Sequence, residues 1–204
     1  MSDIVAHPED YFRLLVRQQD SLLNDLEAEA LGEGIPIVGP LVGELLFILA
    51  RAIQARQILE LGTATGYSAI FLARACAPWD GRVITLENDR AMAARAQANF
   101  QKAGLTEHIE LRLGDALQEL AQMEEFFDMV FMDIDKQDYH RVLPHCQCRL
   151  KSGGLLVADN VAFQDADAFN RAIAGHPGWR SVALFSFLPY HSPEKDGLCL
   201  ALRL

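Results

Sequence analysis

The chain has 204 residues, half of them hydrophobic and 23% charged, the balance of one globular domain large enough to bury a substantial core. Its formal net charge of -10 repels polyanions, so a nucleic-acid partner is not expected. No apolar run approaches the roughly 20 residues that span a bilayer, and MSDIVAHPEDYF lacks a basic segment followed by an apolar stretch, so neither membrane insertion nor secretion is expected.

Residues 8–31 carry Tyr11, Leu15, Leu22 and Leu26 at near-helical spacing, which predicts a lead-in helix. Gly32, Gly34 and Pro36 end it, and 38–54 predicts a second helix. β-rich runs then alternate with helical patterns. The predicted strands are QILELG (57–62), RVITLE (82–87), IELRLG (109–114), FDMVFMD (127–133) and GLLVADN (154–160). Helical stretches fall at 66–76, 89–103, 115–123, 136–149 and 165–175. Such alternation implies a parallel sheet covered on both faces, whose strands are near-continuously apolar. The last two runs, WRSVALFSF (179–187) and GLCLALRL (197–204), are joined by a loop too short for a crossover helix and must pair antiparallel. The expected organisation is a single domain over 1–204, with a helical lead-in (1–54) on an α/β core (55–204). The four cysteines, Cys76, Cys146, Cys148 and Cys199, are read as reduced thiols of a cytoplasmic protein. Cys146 and Cys148, near His145, lack the second pair that a zinc finger requires.

Open α/β sheets bind ligands beyond the carboxyl ends of their strands. In LELGTATGYS (59–68), Gly62 and Gly66 allow a tight turn and close approach of a ligand to the backbone. The spacing is not the dinucleotide G-x-G-x-x-G. Glu60 would repel a pyrophosphate but suits an ammonium or sulfonium group. Glu87 ends the next strand, where an acid can take both hydroxyls of a ribose. Asp115 follows the third strand and either caps the next helix or flanks an adenine; a capping role is open for Glu60 as well.

LELGTATGYSAIFLA, TLEND and the G-D-A step resemble the S-adenosylmethionine site of class I methyltransferases. FMDIDKQDY, VADNV and the closing DGLCLALR narrow the resemblance to the metal-dependent small-molecule O-methyltransferases, which include the catechol and caffeoyl-CoA enzymes. The likeness runs from about residue 36 to the end. It implies a Rossmann-like seven-stranded, mostly parallel sheet with an antiparallel last strand, helices on both faces and extra N-terminal helices. It further implies that Val38 lies over the methionine moiety, that Glu60, Gly62 and Ser68 surround its amino and carboxylate groups within the loop that holds Thr63 and Gly66, and that Glu87 holds the ribose. Ala116, beside Asp115, would offer its N–H near the adenine, and Asp133 would contact both the cofactor amine and a metal. Relatives that dimerise make a homodimer an expectation.

Two apolar runs stop on oxygen ligands: Asp133 in FMDIDK, and Asp159 with Asn160 in VADN. Two carboxylates and an amide oxygen suit Mg²⁺ first, or Mn²⁺ or Ca²⁺, and suit zinc poorly. A vicinal diol chelated at the open positions would ionise more readily. Lys136 beside the cation is the candidate general base, although metal activation alone can suffice. The alternatives are a helix cap for Asp133 with a solvated Lys136, and a turn for Asp159-Asn160. Asp135 is read as outside the ligand set. The function expected is divalent-metal-dependent methyl transfer to a hydroxyl of a small aromatic vicinal diol. The competing readings are an NAD-type oxidoreductase on the same sheet and a binding protein without turnover. The catechol branch has a glutamate after its terminal D-G-L, where this chain has Cys199, which moves the expectation toward bulkier diols. The loop 188–196, with Tyr190 and His191, is expected to border the acceptor, and Phe163 either stacks on it or joins the core. Tyr139, Trp79 and Trp179 are given packing roles only.

Overall fold

The structure, a computed structural model, describes residues 3–204. Helices α1 (Pro8–Leu14), α2 (Ser21–Glu33) and α3 (Gly39–Ala52) precede a seven-stranded sheet. The core then runs β1 (Gln57–Leu61), α4 (Tyr67–Cys76), β2 (Arg82–Glu87), α5 (Arg90–Lys102), β3 (Ile109–Leu113), α6 (Ala116–Gln122), β4 (Phe127–Met132), α7 (Tyr139–Arg149), β5 (Leu150–Ala158), α8 (Asp167–Gly175), β6 (Trp179–Phe187) and β7 (Lys195–Arg203). Short 3₁₀ turns lead into α7 and α8.

The sheet order is β3-β2-β1-β4-β5-β7-β6. The first five strands pair in parallel, while β7 is antiparallel to both β5 and β6. Period-2 alternation sorts the strand residues between two cores. Ile58, Met129, Phe131 and Val157 face α2, α3, α4 and α5. Leu59, Leu61, Val130, Met132 and Leu156 face α6, α7 and α8. Both faces are covered, as the continuous apolar runs require.

The single helix expected over 8–31 is two helices. Asp20, in extended conformation, accepts from Leu23 N at 3.0 Å and starts α2 afresh. Leu15 is exposed while Leu26 is buried, so the apolar spacing that predicted one helix does not correspond to one buried stripe. Strand β5 begins at Leu150, four residues before the predicted start, because Gly153 with φ 79 lets the chain turn within it.

Candidate active site

The strand order reverses between β1 and β4, which places the crevice of an open α/β sheet beyond their carboxyl ends. Asp133 N donates to Leu61 O (2.8 Å), so the pairing of β1 with β4 continues into the rim. Gly62 has φ 95, and a Cβ there would collide with the Asp133 carbonyl, so glycine is what lets the loop after β1 lie against the loop after β4.

A cavity of about 360 Å³ opens over this rim, a size typical of small-molecule sites. Val38, Gly62, Thr63, Ser68, Glu87, Asp115, Ala116, Asp133, Lys136, Asp159 and Asn160 line it together. Two residues named from the sequence stand behind this wall. Gly66 is the left-handed N-cap of α4. Glu60 is fully buried; its Oε2 accepts from Thr85 Oγ1 (2.5 Å) and its Oε1 has no partner. Burial, opposed by the Thr85 and Ser68 hydroxyls and reinforced by the charges of Asp133 and Glu87, pushes the Glu60 carboxyl up to about 8.

Glu87 accepts from Thr63 N (3.2 Å) and Ala64 N (2.7 Å) through Oε2, and from Asp89 N (2.8 Å) through Oε1. The carboxylate expected at a ribose therefore also braces the glycine loop from the end of β2. Asp115 caps α6 through Gln118 N (3.0 Å), one of the two roles its position allowed, and lines the cavity as well.

Lys136 Nζ donates to Asp133 Oδ1 at 2.9 Å from the 3₁₀ turn after β4. The Asp133 carboxyl is nonetheless raised above the usual carboxylate range, because burial and the charge of Asp159 outweigh the ammonium. Asp159 accepts from Asn160 N (2.7 Å), and His191 Nε2 lies 3.0 and 2.9 Å from its two oxygens. Asn160 sits at φ 50, a left-handed conformation that asparagine tolerates better than most residues. Among the described residues no three His, Cys, Asp or Glu side chains gather as a metal cage. Asp133, Asp159 and Asn160 instead bring two carboxylates and an amide to one wall. Their oxygen-only chemistry fits a hard divalent cation.

Three residues that the sequence reading left without these roles support the wall. The Tyr139 hydroxyl lies 3.1 Å from both Met132 O and Asp159 O, joining the ends of β4 and β5 beneath the acids. His191 is buried against Asp159, and Asp196 is buried against Asn160. Their partners lie 7 to 36 residues away, so no local motif announces them. Tyr190 and Phe163 remain about half exposed and outside the cavity wall. Asp135 is an exposed residue at the rim. Cys199 is buried in β7 opposite Ala158, one residue before Asp159. Cys146 is buried and Cys148 exposed on α7.

A sequence profile of the O-methyltransferase family matches residues 19–170. The chain is 45% identical over 157 residues to a catechol O-methyltransferase of Niastella koreensis, a match covering 72% of this chain and 69% of that protein. Its fold is similar to that of the O-methyltransferase from Bacillus cereus in complex with SAH, with TM-score 0.86 and 30% identity over 97% of each chain. It is equally similar (TM-score 0.86, 31% identity, 96% of this chain and 95% of the other) to the O-methyltransferase TomG from Streptomyces achromogenes, solved in complex with SAM.

Proposed function

The chain belongs to the O-methyltransferase family, as a class I S-adenosylmethionine-dependent enzyme of the catechol and caffeoyl-CoA type, and from that premise we propose that it methylates one hydroxyl of a small aromatic vicinal diol with the help of a divalent cation. One observation carries this reading: Asp133, Lys136, Asp159 and Asn160 share a single cavity with the glycine loop of 62–68. An NAD-type oxidoreductase finds no support in a chain of this family.

In this reading Val38, Gly62, Thr63, Ser68, Glu87, Asp115 and Ala116 surround the cofactor, with Gly66 setting the turn and Glu60 supplying negative charge beneath it. Asp133, Asp159 and Asn160 hold the cation, with Mg²⁺ first in order and Mn²⁺ or Ca²⁺ as substitutes. The chemistry supplied there is Lewis-acid stabilisation of an ionised acceptor oxygen. Lys136 would take the hydroxyl proton as the free amine, after its ammonium has given one proton to solvent and left Asp133 Oδ1. The cavity walls hold the acceptor oxygen in line with the methyl carbon and the sulfur, where orientation contributes most to the rate. Asp196 and Cys199 approach the site on the same strand, and no glutamate follows D-G-L to take a second hydroxyl, which favours an acceptor bulkier than catechol itself.

Among the described residues no helix is long and apolar enough to cross a membrane. Cytoplasmic residence and homodimer formation are parts of the same proposal; light scattering on the purified chain measures the second. The central test is turnover of labelled S-adenosylmethionine against a panel of catechol- and caffeoyl-like diols, with and without chelator. Methylation that survives complete chelation would remove the cation from the mechanism, and failure on every diol would remove the acceptor class.

A further inference from the structure

Asp196, at the start of β7, is fully buried, and no cationic side chain pairs with it among the described residues. Burying an unpaired carboxylate is expensive unless hydrogen bonds replace its water. Here they do. Oδ1 accepts from Gly197 N (2.6 Å) and Ala162 N (3.3 Å), and Oδ2 accepts from Asn160 Nδ2 (2.6 Å).

The last bond has a consequence for the cavity wall. A side-chain amide has two nearly isosteric ends, and only its partners decide which end faces which way. An ionised carboxylate accepts and cannot donate, so it admits the NH₂ end of Asn160 and rejects the carbonyl end. The remaining amide hydrogen is directed toward Ser192 O, at 3.4 Å. Both donors of Asn160 are thereby engaged with the 192–196 segment, and Oδ1 is the amide atom left over on a residue that lines the cavity beside Asp133 and Asp159.

We infer that Asp196 is a positioning residue: its carboxylate locks the Asn160 amide so that Oδ1, and not Nδ2, is presented to a divalent cation between Asp133 and Asp159. The inference rests on the metal reading given above. It assigns a reason for an acid at 196 that a neutral isostere lacks. An asparagine at 196 has one acceptor end, which Gly197 N and Ala162 N compete for. Its NH₂ end would then face Asn160 and reward the flipped amide, drawing Oδ1 away from the cavity.

The test is Mn²⁺ alone, followed by electron paramagnetic resonance of the free ion, on the full chain and on Asp196→Asn, Asn160→Ala and the double variant. Asp196→Asn should weaken Mn²⁺ binding by about 10–100-fold, the range for residues that orient a ligand, while binding of S-adenosylhomocysteine stays within about twofold. Asn160→Ala should weaken Mn²⁺ comparably, and adding Asp196→Asn to it should change nothing further, because the acid acts through the amide. Undiminished Mn²⁺ affinity in Asp196→Asn, or an equal additional loss in the Asn160→Ala background, overturns the role of Asp196 while leaving the metal site intact. Absence of Mn²⁺ binding by the unaltered chain overturns the metal reading itself. If Asp196→Asn does not fold, crystals of the unaltered chain with Mn²⁺ decide: Asn160 Oδ1 on the ion with Nδ2 on Asp196 is the expected arrangement, and Nδ2 turned away from Asp196 overturns it.

Discussion

His191 Nε2 faces both carboxylate oxygens of Asp159, at 3.0 and 2.9 Å, from a loop more than thirty residues away in the chain. Its Nδ1 lies 2.6 Å from Pro193 O, which can only accept, so the ring carries a proton at Nδ1, and a bond from Nε2 to an ionised Asp159 requires a second. Burial opposes that charge, but the hydrogen bond and charge of Asp159, with the Pro193 carbonyl, raise the imidazole above its ordinary value. Asp159 is thus held by a side chain of the loop that borders the cavity, and the contact favours the charged form of that ring.

Asp159→Ala separates metal chemistry from cofactor binding. The change removes a carboxylate assigned to the cation and contributes nothing to the glycine loop. Transfer should fall by ~100-fold or more, and affinity for S-adenosylhomocysteine should change by less than about threefold, as measured by calorimetry. Transfer at the unaltered rate would refute the assignment of Asp159.

Lys136→Ala removes the amine that bonds Asp133 Oδ1. A general base contributes about 10²–10⁴-fold, so turnover at neutral pH should fall within that range. As pH rises, more of the acceptor ionises without help, and the deficit should shrink. The rate ratio between the two proteins, followed from pH 7 upward, checks this. A ratio independent of pH takes Lys136 out of proton transfer.

The raised carboxyl of Glu60 gives a linkage with a definite sign. At about 8 it is mostly protonated at neutral pH, and an ammonium-bearing ligand near it favours ionisation. Binding of S-adenosylhomocysteine at pH 7 should therefore release up to one proton, and affinity should rise as pH rises toward 8. Stability runs the other way. Between the ordinary value of 4.5 and about 8 the unfolded chain gives up a proton that the folded chain keeps, so folding weakens as pH rises through that interval. Glu60→Gln should abolish both slopes. Calorimetry in buffers of different ionisation enthalpy reads the proton, and observed heats that are identical across those buffers would exclude the linkage.

Gly62→Ala is predicted to damage the site through backbone alone. The residue holds φ 95, and its Cβ would press on the Asp133 carbonyl. Strain of the left-handed region and the collision together should destabilise the chain by about 2–4 kcal/mol, and the variant that does fold should bind S-adenosylhomocysteine poorly. A melting temperature within about 2 °C of the parent's, with unchanged binding, would show that the two rim loops move apart without penalty.

What was legible in the sequence were features written into contiguous residues. The strand cores Ile58-Leu59 and Val130-Phe131 are apolar because both sheet faces are covered, and Gly62, Glu87, Asp133 and Asp159 lie near strand ends where the periodicity stops. The lead-in forms two helices where its spacing predicts one, because the apolar spacing crosses residues 15–20 without a core to face and Asp20 caps a new helix there. Asp196 and His191 were not legible as partners. Each acts on a residue more than thirty positions away, brought near by β7 lying antiparallel on β5, a register that no local pattern encodes.

The same distance in sequence separates α1 from the loop it holds. Helix α1 has no buried residue, so it is fastened by charge: Arg13 makes two bonds to Glu194 (2.5 and 2.8 Å), and Glu9 lies 2.7 Å from Lys195. The Arg13 guanidinium also stands 5.3 Å from the Phe187 ring and 5.2 Å from the Tyr190 ring. Its bond to Glu194, with that of Tyr190 N, lowers the Glu194 carboxyl to about 2. The fastened segment carries His191 and Ser192, which line the cavity. Arg13→Ala should therefore raise the KM for the acceptor several-fold, leave S-adenosylhomocysteine binding unchanged, and speed proteolysis within 188–196. Because exposed ion pairs are screened, salt near ~1 M should loosen the loop of the parent chain and narrow its difference from the variant. Equal acceptor KM and equal cleavage rates at low salt would show that the loop holds its place without α1, and would leave the helix no part in shaping the acceptor site.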